Sequence, residues 1–138
     1  MIQSEHIKVR MTREVIEFPQ ESIQALSAVA KHVYKVSTIS GFHEKDGDLY
    51  DSENGRFGEF CSNLHGEVSE LWEAWRKGNL KTKCDKPIPL NCAAEELADI
   101  IIRAMDTAVT LGIDIGEAIA GKDAYNQTRP YKHGGKKA

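Results

Sequence analysis

The sequence predicts an all-α fold, a four-helix bundle. Two long segments carry apolar residues at alternating steps of four and three, and glycines close the predicted helices at Gly41, Gly78 and Gly112. The one alternating pattern, Ile7, Val9 and Met11, is too short to separate an extended arm from a disordered one. Residues 1–18 are therefore set apart as an N-terminal arm, residues 19–130 form the domain, and residues 131–138 are a basic tail.

Each helix has its own start, stripe and stop. Pro19 suits a first turn, and Ile23, Leu26, Val29, Val33 and Val36 carry a stripe to about Ser40. From Arg56 to Lys77 the stripe is Phe57, Cys61, Leu64, Val68, Leu71 and Trp75, a coiled-coil-like seam. A linker with Pro87 and Pro89 leads to the third segment, Asn91 to Gly112, which repeats the seam at Leu97, Ile101, Ala104, Ala108 and Leu111. The fourth helix runs from Asp114 to about Thr128, before Pro130. Between Gly41 and Gly55 the chain holds three glycines and the acids Glu44, Asp46, Asp48, Asp51 and Glu53, the composition of a mobile, ligand-contacting loop. It is not a calcium loop: no glycine stands sixth from Asp46, and Phe57 occupies the place of the terminal Glu.

Composition narrows the function classes. A chain of 138 residues is most simply one domain, large enough for a real core. A net charge of -3 leaves no basic face for nucleic acid, since the only basic concentration is the tail Lys132 to Lys137. Cys61, Cys84 and Cys92 make an odd count without a Cys-x-x-Cys pair, which fits a reduced compartment. Charged residues at Glu5, Lys8, Arg10, Arg13 and Glu14 leave no signal-peptide core, and no apolar run is long enough to span a membrane. The expected location is cytoplasmic, with neither nucleic acid nor membrane as partner.

The chemistry resides in two acidic pairs, Glu67 with Glu70 and Glu96 with Asp99. Residues three apart share a helix face, so each pair is a like-charge contact costing roughly 0.2–0.5 kcal/mol. Solvated acids are common on such helices. These four, however, each lie one residue from a seam position, and two helices packed antiparallel would bring them together. That cluster suits Mg²⁺, with Mn²⁺ as a substitute, because hard divalent ions select oxygen ligands and work beside substrate phosphates. Phe60 and Asn63 continue the acid face of the second helix, a ring that can stack on a base and an amide that can bond its edge. Phe42 and His43 are further candidates for a base pocket. On the fourth helix Lys122, Asn126 and Arg129 recur at steps of four and three, suited to phosphate oxygens, although cations there also complement the helix dipole. Arg103 stands four residues after Asp99, the spacing of an intrahelical salt bridge, and Asp106 has an equally ordinary role as a partner to Arg103. A di-iron carboxylate bundle is disfavoured because neither acid pair has the Glu-x-x-His form.

Three blocks together resemble a family. His65-Gly66-Glu67-Val68-Ser69-Glu70-Leu71, Glu95-Glu96-Leu97-Ala98-Asp99-Ile100-Ile101-Ile102-Arg103, and Lys122 to Gly134 with its Asn126, Arg129 and Tyr131, look like the motifs of the MazG-like, all-α nucleoside triphosphate pyrophosphohydrolases. The match spans roughly residues 20 to 136. The resemblance implies a homodimer or a homotetramer whose site is formed with helices of the oligomer. It implies Glu67, Glu70, Glu96 and Asp99 as Mg²⁺ ligands, Lys122 and Asn126 as contacts to the triphosphate, and Arg129 and Tyr131 as further substrate contacts. The implied reaction is hydrolysis of a nucleoside or deoxynucleoside triphosphate to the monophosphate and pyrophosphate by water attack at the α phosphorus. One departure stands out: the family often places a Glu immediately before the first ligand, where this chain has Gly66. The alternative function is a non-catalytic nucleotide- or metal-binding interaction protein of the same fold.

Overall fold

A computed structural model describes residues 14–130 and residue 137. The described residues form four helices: α1 (Gln20–Ile39), α2 (Phe57–Arg76), α3 (Cys92–Thr110) and α4 (Ile115–Thr128). No β-strand occurs among them, and a single isolated bridge joins Lys83 and Asn91. No described helix is long and apolar enough to cross a membrane. The fold is therefore all-α. Tyr131, the first part of the predicted arm and nearly all of the basic tail lie outside the described residues.

Two compact units make up the chain, residues 28–114 and the combination of residues 1–27 with 115–138. In the latter, the start of α4 approaches the start of α1 closely at Gly116. A Cβ built there would stand 2.3 Å from the Ile23 carbonyl oxygen, so only glycine permits this contact. Gln127 adds a clasp, donating to the Ile16 carbonyl at 2.9 Å and accepting from the Ile16 amide at 2.7 Å.

The unit of residues 28–114 is organised by the packing of α2 on α3. Both helices stop where glycine adopts a left-handed conformation, at Gly78 (φ 70°) and Gly112 (φ 72°). In each case the next amide reaches back over the last turn, Asn79 to the Ala74 carbonyl and Ile113 to the Ala108 carbonyl, both at 2.8 Å. α3 starts at Asn91, whose Oδ1 accepts from the Ala94 amide at 2.8 Å. Just before it the linker doubles back, Cys84 N–H bonding the Leu90 carbonyl and Cys92 N–H the Thr82 carbonyl, so Lys86 and the two prolines lie in a tight excursion.

The predicted seams are only partly buried in a single chain. Val68 and Trp75 are each about half exposed, as are Leu97 and Ile101, and no large side chain is fully buried among the described residues. On α2 and α3 the buried positions are Ala108 of the seam together with Glu67, Glu95, Glu96 and Met105. Seam periodicity separates two faces of a helix without saying which face the fold covers, and here the acids are enclosed.

The loop from Gly41 to Gly55, expected to be mobile, is anchored at several points. Tyr50 donates its hydroxyl to the Leu111 carbonyl at 2.7 Å, and Leu49 is buried. His43 makes the main tether. Its side chain is 6% exposed, with Nε2 2.8 Å from Asp106 Oδ1 and Nδ1 against Asp46 Oδ2. Its ring packs beside Tyr34 and Phe60, at 4.8 and 5.8 Å between centroids. Burial pulls the imidazole pKa down, but the hydrogen bonds and charges of Asp46 and Asp106 outweigh it, and the net effect is a rise above the usual histidine value. A raised histidine stabilises the fold below its unfolded pKa and loses that contribution as pH rises through the folded pKa. Thermal melts of the wild type should therefore lose stability as pH rises above the usual histidine range, whereas the same step should be much smaller in His43→Gln.

Candidate functional site

α2 and α3 bring the two predicted acid pairs into one region. Ligand oxygens of Glu67, Glu70 and Glu96 lie within 4.8 Å of one another, two of the three residues being buried. Asp99 stands outside that tight group but within electrostatic reach of it. The charge bearing most on Glu96 is that of Glu70, and on Asp99 that of Glu67. Glu70 and Glu67 converge with Glu96, while Arg103, two turns further along α3, bonds the earlier Glu67 of α2, so the helices run antiparallel.

Burial is the largest cause of the raised pKa of Glu96, followed by the charges of Glu70, Glu95 and Glu67. Asp99 is raised by burial first and then by Glu67 and Glu95, against a smaller opposing effect of Arg103. Both shifts arise first from burial and then from neighbouring carboxylates, which the nearby cations do not offset. Five carboxylates, Glu67, Glu70, Glu95, Glu96 and Asp99, share the region with two cations, Arg103 and Lys86. Arg103 Nε donates to Glu67 Oε1, and the Lys86 ammonium bonds Glu95. Among the described residues Glu70, Glu96 and Asp99 have no salt bridge. Clustered hard oxygen donors with uncompensated charge fit a divalent cation.

A cavity of about 430 Å³ adjoins the acids. Asp99 and Arg103 belong to both the acid region and the cavity wall, and Phe42, Phe60, Asn63 and Asp106 also line it. The cavity thus offers a flat ring, an amide and a guanidinium beside the carboxylates, as the helical spacing of Phe60, Asn63, Glu67 and Glu70 predicts. His43 lies behind Phe60 and is not part of the wall, and both its ring nitrogens are taken by carboxylates.

Other predicted residues fall in the unit of residues 1–27 and 115–138. There the Lys122 ammonium sits 4.8 Å from the Tyr125 ring centroid, Arg129 is half-buried, and Asn126 Oδ1 is buried without a hydrogen-bond partner among the described residues. A buried amide oxygen left unpaired costs free energy unless a ligand or water donates to it.

Two expectations change. Arg103 bonds across the helix pair to Glu67 rather than within its own helix, and Asp106, no partner of Arg103, accepts from Ser37 Oγ at 3.2 Å and holds His43. Spacing along one helix gives only local partners. A signal for Arg103 was nonetheless present, because Glu96, Asp99 and Arg103 recur at steps of three and four and so share the face turned to α2. Lys86 carried no comparable signal, since its approach to Glu95 depends on the fold of the linker.

No family model, curated protein or solved structure matches the chain.

A carboxyl whose folded pKa is raised favours the fold below its unfolded pKa and loses that contribution as pH rises through the folded value. Without a divalent cation, Glu96→Gln should thus melt a few degrees above the wild type at neutral pH, and the difference should shrink on acidification. Added Mg²⁺ should stabilise the wild type more than this variant. Loss of stability in Glu96→Gln under cation-free conditions would contradict the excess of negative charge.

Proposed function

We propose that this chain is a Mg²⁺-dependent nucleoside triphosphate pyrophosphohydrolase of the MazG-like kind, with Glu67, Glu70, Glu96 and Asp99 as the metal ligands. The observation that carries the reading is the uncompensated carboxylate group of α2 and α3 sharing a wall with a cavity of nucleoside size. Divalent cations suit this donor set, and when bound to phosphate they neutralise the charge that builds up in phosphoryl transfer.

The protein's own part is binding and alignment. Phe60 offers its ring to a base and Asn63 its amide to the base edge, which leaves the phosphate chain at the Asp99 and Arg103 end of the cavity. A carboxylate of the cluster orients a water for attack on the α phosphorus and accepts its proton. The bond from the α phosphorus to the bridging oxygen then breaks, and pyrophosphate leaves. Glu73 and Glu95 are the nearby acids that could replace the one missing at Gly66. Glu95 is the better placed, being buried beside Glu96, although its pairing with Lys86 fits it to shaping the field rather than moving a proton. The resemblance gives Lys122, Asn126, Arg129 and Tyr131 contacts to the triphosphate, in which Asn126 would act through its amide N–H.

Assembly as a homodimer or homotetramer belongs to the same proposal. Val68, Trp72 and Trp75 on α2, and Leu97 and Ile101 on α3, leave substantial apolar surface outside, and the two tryptophan rings stack at 4.8 Å between centroids. Contiguous exposed apolar surface of this kind marks an interaction site. Sedimentation or light scattering should show a dimer or larger for the wild type and a smaller species for Trp72→Glu with Trp75→Glu.

Incubation of the pure protein with Mg²⁺ and a panel of nucleoside triphosphates should give monophosphate and pyrophosphate, with heavy oxygen from labelled water appearing in the monophosphate. Chelation should abolish turnover. Glu70→Gln, which removes a ligand charge at little change in volume, should keep the helical spectrum and lose at least about a hundredfold in kcat, the order expected for losing a preorganised charge-stabilising group. Nucleotide binding without any product would instead favour the non-catalytic interaction protein.

A further inference from the structure

Arg103 is held by one atom only. Its Nε donates to Glu67 Oε1, while among the described residues its two terminal amino groups make no hydrogen bond. Its side chain is 43% exposed against 10% for that of Glu67, so the guanidinium reaches from the cavity wall into the buried acid group. Glu67 is also one of the three residues whose oxygens converge. A carboxylate oxygen already accepting from a guanidinium is a poorer ligand for a divalent cation, and two cations on one carboxylate repel each other.

From this geometry we infer that Arg103 is the resident counter-cation of the acid cluster, displaced from Glu67 when a divalent cation binds and then turned into the cavity to clamp the nucleotide phosphates. The inference rests on the proposed cation site and adds to it a residue that couples cation binding to phosphate recognition. Three features support the exchange. The planar fork of a guanidinium matches phosphate oxygens, and two of its three nitrogens are already unengaged. Arg103 lies one helical turn from Asp99, a residue of both the acid region and the cavity wall, so the two positions of the guanidinium differ by side-chain rotation alone. The exposed side chain gives up only a part-hydrated ion pair on leaving, whereas Glu67, which stays buried, receives the incoming cation in its place.

The test separates Arg103 from the site it serves. Mn²⁺ alone is titrated by electron paramagnetic resonance into the full chain and into Arg103→Gln and Arg103→Lys. Inorganic tripolyphosphate, a probe without a base, is then titrated calorimetrically at saturating Mn²⁺. Removing one opposite charge beside a carboxylate changes its affinity for a proton by about tenfold or more. Arg103→Gln should accordingly bind Mn²⁺ roughly tenfold more tightly than the wild type, and Arg103→Lys, which keeps the charge, should stay within about threefold of it. Both variants should bind tripolyphosphate roughly tenfold more weakly, because both lose the fork. Unchanged or weakened Mn²⁺ binding in Arg103→Gln would overturn the exchange, as would unchanged tripolyphosphate binding in Arg103→Lys, the variant that keeps the buried charge balanced. Absence of Mn²⁺ binding by the wild type would overturn the cation site itself.

Discussion

Negative charge enclosed between α2 and α3 is the constraint on which the rest of the unit depends. Carboxylates removed from water must be neutralised, paired or coordinated. In this chain Arg103 pairs Glu67 and Lys86 pairs Glu95, while Glu70, Glu96 and Asp99 have no such partner among the described residues. Burial first, and the neighbouring carboxylates second, raise the pKa values of Glu96 and Asp99. Under the proposed function a divalent cation would supply the missing positive charge, beside the cavity that Asp99 lines.

The same choice of buried face shapes the surface. Since the acids occupy the covered side of α2 and α3, apolar residues such as Val68, Trp72 and Ile101 are left outside in a single chain. Beside the small buried core of Met105 and Ala108, the helix pair is fixed at its termini and by tethers. Asn91 fixes the start of α3, the glycine stops fix the ends of both helices, and the His43 clamp ties the loop to Asp106.

What was legible in the sequence was local. The helices, their stops at Gly41, Gly78 and Gly112, and the convergence of Glu67, Glu70 and Glu96 follow from periodicity, turn chemistry and the geometry of an antiparallel pair. Phe60 and Asn63 could be placed beside the acids for the same reason. Long-range contacts were not legible. His43 looked like a loop histidine open to a ligand, yet both its nitrogens are committed, because Asp106 comes from a helix more than sixty residues away. Lys86 reaches Glu95 only through the fold of its linker. The seam pattern marked the apolar faces but could not tell that single-chain packing covers them only in part and also encloses the flanking acids Glu67 and Glu96, since burial is a property of the assembled elements and not of one helix.

The central claim is that these carboxylates are a divalent cation site beside a nucleotide cavity. Anomalous scattering from crystals grown with Mn²⁺ and a non-hydrolysable α,β-methylene nucleoside triphosphate tests it most directly. The account predicts a manganese peak coordinated by Glu67, Glu70, Glu96 and Asp99, with the triphosphate on the same ion and the base against Phe60. A manganese peak at other residues, or its absence from these four carboxylates while nucleotide is bound, would contradict it.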